Sequence, residues 1–204
     1  VEITEACLRK KDSVDGKDLV EKIMDKAGQK GTGLWTVMSA LELGASVPTI
    51  YAALNARVMS SLKVLRCEAE LIYEKKPKVN DINLNFEGQS PLMDAVVLST
   101  IASYAQGMDL LARASDEYNY DLNMQEISQI WKGGCIIRSR LLKRIQDSYD
   151  NNPKLQNILF DPWFSEQIKR RISGLSLIVS SSAKAGIAVP CFSSTLDYIN
   201  SITT

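Results

Sequence analysis

Lys30, Thr32 and Arg57 are the residues whose types and spacing could hold an anion. Residues 23 to 35 read Ile-Met-Asp-Lys-Ala-Gly-Gln-Lys-Gly-Thr-Gly-Leu-Trp, which puts three glycines, Lys30 and Thr32 into one short turn. Glycines at this spacing let backbone N–H groups converge, and a helix start adds donors that lack an intrahelical partner. Such a cradle suits a phosphate or a carboxylate without metal or histidine. Gly31 and Gly33 tolerate positive φ, Lys30 supplies a point charge, and Thr32 offers a hydroxyl and an N-cap. Arg57 lies at the edge of an apolar stripe. It is expected to be half-buried, with its stem on the core and its planar fork directed into a cleft. Residue chemistry alone leaves two readings open for each feature. The turn is an anion cradle or a Gly-rich interhelical link with a solvated lysine; Arg57 is an anion ligand or a snorkelling surface residue.

The turn fits neither standard nucleotide motif. In a P-loop the Lys follows the second Gly, whereas here Lys30 precedes Gly31-Thr32, and no strand precedes the turn as a dinucleotide fingerprint requires. The chain contains no histidine. A Ser–His–Asp or Cys–His arrangement is therefore excluded, and so is the commonest metal ligand. Any chemistry of its own must use Lys, Asp, Glu, Tyr or Cys. With 24 Lys+Arg against 24 Asp+Glu in 204 residues, the formal net charge is zero. Neither a nucleic acid nor an anionic membrane is expected as the main partner.

The elements that must position these residues read as helices almost throughout. An apolar content of 45% over this length supports a packed core. No continuous apolar run approaches the roughly 18 residues of a membrane span. Val20, Ile23, Met24 and Ala27 form one short helical face, and Trp35, Met38, Leu41 and Ala45 another. Gly44 stops that helix and Pro48 suits the first turn of the next. Ile50, Leu54, Val58, Leu62 and Leu65 form a stripe about four turns long. Lys75 to Gln89 reads as a polar surface loop. Ser90-Pro91 opens a long helix through Leu111. Helices also follow around Ile127 to Trp131, broken near Gly133-Gly134, and from Ile137 to Ile145. After a turn at Asn151-Asn152-Pro153, Asp161-Pro162 opens a final helical pair broken at Gly186. No alternating strand pattern appears, so the fold class is all-α.

A weak internal repeat runs through this pattern. Shifting the sequence by 142 positions lays Trp35–Asn55 on Leu177–Asp197, matching Gly44, Val47 and Pro48 with Gly186, Val189 and Pro190. The shared unit is helix, Gly stop, short link, Pro, helix. The second copy lacks the Lys-Gly-Thr-Gly lead-in. Cys7, Cys67, Cys135 and Cys191 are widely spaced and form no C-x-x-C pair, which predicts free thiols in a reducing compartment. Lys132, Arg138, Arg140, Lys143 and Arg144 form a basic cluster without interleaved aromatics, expected as a solvated face. Tyr104 and Gln106 are expected as packing and capping groups.

The turn and Arg57 together resemble the 6-phosphogluconate dehydrogenase family. Its signature is an apolar residue, any residue, Asp, two residues, Gly/Ala, Asn/Gln/Ser, Lys-Gly-Thr-Gly, any residue, Trp. Ile23, Asp25, Gly28, Gln29, Lys30, Gly31, Thr32, Gly33 and Trp35 fill every fixed position. The likeness continues through Ser39-Ala40-Leu41-Glu42, Ala56-Arg57, Ser60-Ser61-Leu62-Lys63, Ser103-Tyr104-Ala105-Gln106-Gly107 and Ile130 to Arg138, and reaches Phe192-Ser193. Leu34 stands where most members have a second lysine, which lowers the local positive charge.

The resemblance implies a function. Such enzymes oxidise the 3-hydroxyl of 6-phosphogluconate with NADP and decarboxylate the 3-keto acid to ribulose 5-phosphate, in the pentose phosphate pathway. Lys30, Thr32 and Arg57 match positions that hold the substrate, chiefly its phosphate. Residues 1–204 then form one all-α substrate-binding and dimerisation domain of a cytoplasmic homodimer. The family's catalytic Lys and Glu, its Rossmann-type cofactor domain and a C-terminal tail fall outside this chain, which opens on Val within a helical pattern and is expected to be a fragment. Alone it is expected to lack dehydrogenase activity, to contribute no catalytic residue, and to leave NADP to the cofactor domain. The alternative is a non-catalytic helical dimerisation or regulatory module that keeps the fold.

Overall fold

Helical periodicity without alternation produces nine α-helices among the described residues, which are 2–74, 90–135 and 137–204 of a computed structural model. They are α1 (Glu2–Arg9), α2 (Thr32–Glu42), α3 (Pro48–Ser61), α4 (Lys63–Tyr73), α5 (Pro91–Tyr118), α6 (Met124–Ile130), α7 (Leu141–Asn151), α8 (Pro162–Lys184) and α9 (Pro190–Thr203). Short 3-10 turns occupy Leu19–Lys22 and Ile158–Phe160. No strand occurs among the described residues, only an isolated bridge between Lys11 and Asp18. The all-α expectation holds. The loop read from Lys75 to Gln89 lies outside the described residues.

Local chemistry explains where the helices start. Ser90 accepts from the Met93 N–H at 3.3 Å, and Asp161 from the N–H groups of Trp163 at 2.9 Å and Phe164 at 3.3 Å, each followed by proline at the first helical position. The ends of α2 and α8 match each other closely. Gly44 and Gly186 take φ of 64° and 73°. The Ala45 N–H reaches the Ala40 carbonyl at 2.7 Å, and Ile187 reaches Ser182 at 2.8 Å. Gly44 bonds Leu41 at 3.3 Å and Gly186 bonds Ala183 at 3.2 Å. Both stops are complete Schellman motifs. The residues that enter the next helix agree too: Val47 has φ −125°, ψ 48° and Val189 φ −129°, ψ 58°. The repeat legible in the sequence is thus a repeat of backbone geometry.

The core is organised around α5, which packs on α8, α9 and α3, while α3 also packs on α9. Ala95, Leu98, Ile101, Ala102, Ala105 and Met108 form its buried stripe, met by Leu142, Ile145, Phe164, Leu175, Ile178 and Ile199. Each fully buried Leu, Ile or Phe contributes about 1.5–3 kcal/mol. Length and composition alone would let α5 cross a membrane, but half of its apolar window is buried inside the fold. Gln106 is fully buried and caps α3: its Oε1 accepts from the Thr49 N–H at 3.0 Å, and its amide donates to the Thr49 hydroxyl at 3.0 Å. That hydroxyl meets Thr195 on α9 at 3.1 Å.

Four apolar segments differ from their sequence-based expectation. Residues 23–30 are not helical, and Ile23 and Met24 are exposed. α2 buries Val37 and Ala40, leaving Trp35, Met38 and Leu41 outward. Periodicity identified the helix but not the side that faces the core, because both sides carry apolar residues. The stripe from Ile50 to Leu65 is broken at Leu62 (φ −85°, ψ 50°), which ends α3 and caps α4. Ile137 lies in a turn before α7, which starts at Leu141.

Candidate functional site

The turn from Asp25 to Gly31 has no helical ladder of its own, so its backbone groups must find partners elsewhere. They find them on the α3–α4 edge. Arg57 donates from Nε to the Gly28 carbonyl at 2.8 Å, and its Nη2 donates to the same oxygen. The Ala27 N–H donates to Ser60 Oγ at 3.0 Å. Lys63 pairs with the Asp25 carboxylate, and Arg66 donates to Asp25 Oδ2 at 3.0 Å and to its carbonyl at 2.7 Å. These bonds explain why the apolar pattern of Val20 to Ala27 does not continue as helix. Extended backbone leaves its N–H and C=O groups free for side chains on α3 and α4, whereas a helix would consume them.

Gly31, not Thr32, is the N-cap of α2, at φ 99°. A side chain there would be strained, and its Cβ would sit 3.2 Å from the Trp35 ring. Gly33 lies inside α2 without positive φ. Its role is close approach, since a Cβ would come 3.2 Å from Leu54 of α3. Thr32 is the first helical residue. Its carbonyl accepts from the Thr36 hydroxyl at 2.9 Å. Because Gly31 has no side chain to cap α2, the first N–H groups of that helix, next in sequence to Lys30, have no side-chain partner at the cap.

Lys30, Thr32 and Arg57 are all exposed. Arg57 therefore differs from its expected half-buried setting: its head lies against the turn, not in a cleft between helices. The guanidinium spends its Nε–Nη2 side on Gly28, so the end-on pair of Nη hydrogens remains for a ligand. Lys30 makes no ion pair among the described residues. Thr32 and Trp35 also border a groove of about 440 Å³ whose far wall is Tyr118 and Tyr120. An arginine fork, an ammonium, a hydroxyl and a helix start are each groups that can hold an anion, and Arg57 is tied to the turn that carries the other three through the Gly28 carbonyl.

Asp25, Ser60, Lys63 and Arg66 were not singled out as site residues by sequence reasoning. Asp25 and the Ser60–Lys63 run were visible only as matched signature positions, and their pairing across more than 30 residues has no local signal. Lys63 first, and Arg66 second, hold the Asp25 carboxyl at about 2, below the usual 3.8. The depressed value means that the pairing favours the fold above pH 3.8 and that this contribution is lost as pH falls through about 2. In a carboxyl 13C titration Asp25 is expected to show its midpoint near 2, and Lys63→Ala to move it back toward 3.8. A wild-type midpoint near 3.8 would refute the pairing.

Three residues of the basic cluster, and Tyr104, have partners among the described residues. Lys132 bonds Gln146, Lys143 pairs with Asp147 at 2.5 Å, and Arg144 lies 5.4 Å over the Trp163 ring. Tyr104 donates to the Ile137 carbonyl, and burial raises its phenol above 10.0. All four cysteines are free thiols.

Comparison with known proteins bears on the fold and the family. A profile of the family described as 6-phosphogluconate dehydrogenase, C-terminal domain, matches residues 1–204. The chain is 48% identical over 204 residues to a Synechocystis protein named 6-phosphogluconate dehydrogenase, decarboxylating, covering 98% of this chain and 42% of the relative. It is 42% identical to the NADP(+)-dependent decarboxylating enzyme of Bacillus subtilis over 205 residues, covering 100% of this chain and 44% of that enzyme. Among solved structures it resembles Plasmodium falciparum 6-phosphogluconate dehydrogenase, described in its apo form and in complex with NADP+ and with its substrate 6-phosphogluconate. The TM-score is 0.90 at 40% identity, over 100% of this chain and 44% of that one. The chain thus spans less than half the length of these relatives. A match over every residue, a shared helical architecture and an intact Lys-Gly-Thr-Gly turn lead to one assignment: the chain belongs to the 6-phosphogluconate dehydrogenase C-terminal domain family.

Proposed function

We propose that residues 1–204 form the all-α substrate-binding and dimerisation domain of an NADP-dependent, decarboxylating 6-phosphogluconate dehydrogenase. In this reading Lys30, Thr32 and Arg57 hold the phosphate of 6-phosphogluconate. The observation that carries it is the turn itself, where Lys30, Thr32 and an uncapped helix start lie within one short segment that Arg57 of α3 grips at the Gly28 carbonyl. The names of the relatives support a decarboxylating dehydrogenation of 6-phosphogluconate, read here as oxidation at the 3-hydroxyl and loss of CO2 to give ribulose 5-phosphate. NADP accepts the hydride when bound. The sequence carries no dinucleotide fingerprint, so none of its residues is assigned to the cofactor. This chain's share is to bind the phosphate end and orient the sugar acid, which is how remote binding energy reaches a reacting centre.

A homodimer belongs to the same reading. Leu41, Val64, Leu71 and Ile72, between 73% and 80% exposed on α2 and α4, are apolar side chains that a subunit interface would cover. A monomeric mass by light scattering would overturn the dimer. A cytoplasmic location fits four free thiols.

The phosphate reading is tested by Lys30→Ala in the enzyme that carries this domain. KM for 6-phosphogluconate is expected to rise about 10-fold or more, the effect of losing a charge-assisted bond. The inhibition constant of unphosphorylated gluconate should stay unchanged. An unaltered KM sinks the assignment.

A further inference from the structure

We propose that Asp25 is a positioning residue for the anion-binding turn, locking residues 25–31 to the α3–α4 edge so that Lys30, Thr32 and Arg57 converge on one ligand. The inference rests on the phosphate reading of that turn and extends it to a residue that touches no substrate.

The side chains that hold the turn come from one strip of sequence at regular steps of three: Arg57, Ser60, Lys63 and Arg66. A continuous α-helix could not present them together. At 3.6 residues per turn, nine residues rotate about 900°, leaving Arg57 and Arg66 about 180° apart on opposite faces. The break at Leu62 resets this phase, so that α3 offers Arg57 and Ser60, and α4 offers Lys63 and Arg66, to the same segment. The helix break is therefore what makes the strap geometrically feasible.

Within the strap Asp25 is the carboxylate that gathers both α4 cations. Arg66 also reaches the Ser60 carbonyl at 3.2 Å, so it ties Asp25 to the end of α3, three residues after Arg57. Removing the Asp25 charge frees the start of the turn and leaves Lys63 and Arg66 without their shared anion. The Gly28 carbonyl then loses its register with Arg57, and Lys30, two residues further, moves with it. Exposed ion pairs contribute little to global stability. The expected loss is thus one of placement, and misplacement by about 1 Å costs up to about 100-fold in a reaction.

The test uses the enzyme that carries this domain, with Asp25→Asn, the double variant Lys63→Ala/Arg66→Ala, and Asp25→Glu. Asp25→Asn and the double variant are each expected to raise KM for 6-phosphogluconate about 10- to 100-fold, with kcat within about threefold. Neither should change the inhibition constant of unphosphorylated gluconate, and Tm should fall by no more than about 3 °C. Asp25→Glu should recover most of the KM. The proposal is overturned if KM stays put in both charge-removing variants, or if phosphorylated and unphosphorylated ligands weaken alike while Tm drops. An effect of Lys30→Ala without one of Asp25→Asn refutes the positioning role alone. No effect of Lys30→Ala removes the phosphate reading and the positioning role with it.

Discussion

Arg57→Ala, in the proposed 6-phosphogluconate dehydrogenase that carries this domain, is expected to raise KM for 6-phosphogluconate by about 100-fold, with Arg57→Lys recovering only a small part. Two physical roles meet in this side chain. Its Nε–Nη2 side holds the Gly28 carbonyl, and its end-on Nη pair is left for the phosphate in the proposed site. Alanine removes both, so a charge-assisted fork is lost and the turn that carries Lys30 is loosened. Lysine restores a positive charge but is a single point donor. It cannot grip Gly28 and a phosphate oxygen through fixed, coplanar N–H groups. Recovery of wild-type KM by Arg57→Lys would show that net charge alone matters and would remove the dual role.

Gly174→Ala is expected to destabilise the fold by about 2 kcal/mol, a fall in Tm of about 4–8 °C. The sign is the informative part. Alanine in a helix interior is about 1 kcal/mol better than glycine, so propensity alone predicts stabilisation. In α8, however, a Cβ on Gly174 would lie 2.6 Å from Asp94 Oδ2 and 2.8 Å from Asp94 Cβ. The carboxylate cannot swing away without cost, because Arg171 holds its Oδ1 at 2.5 Å in a pair only 22% and 13% exposed. The Cβ of Asp94 can move only with the α5 backbone. The contact therefore forces apart α5 and α8, the main helix pair of the core. In the double variant Asp94→Gly/Gly174→Ala the two effects should combine to less than their sum by about 1 kcal/mol. A more stable Gly174→Ala single variant would refute the close approach.

The legible parts of this fold are those with local causes. Ser90-Pro91 and Asp161-Pro162 announce helix starts because a side-chain acceptor and a proline act within the first turn. Gly44 and Gly186 announce stops because both take a left-handed conformation that L side chains disfavour. The buried face of α2 was not legible. Trp35, Met38 and Leu41 obey helical spacing as well as Val37 and Ala40 do, and only the packing of neighbouring helices selects between the two sides. The chemistry of Arg57 left an anion ligand and a surface arginine both open, and neither its exposure nor its grip on Gly28 was legible.

By itself the sequence determined the all-α class, the repeated helix-stop-helix unit and the Lys-Gly-Thr-Gly turn with its family resemblance. Each of these is written in residues a few positions apart, where backbone sterics and capping act. Only the tertiary structure decided that Gly31 caps α2, that Leu62 breaks an otherwise continuous stripe, and that Asp25 and Gly28 are held by Arg57, Lys63 and Arg66. Those bonds join residues separated by 29 to 41 positions. Their energy exists only once the chain has brought the turn and the α3–α4 edge together, so no local pattern can encode them.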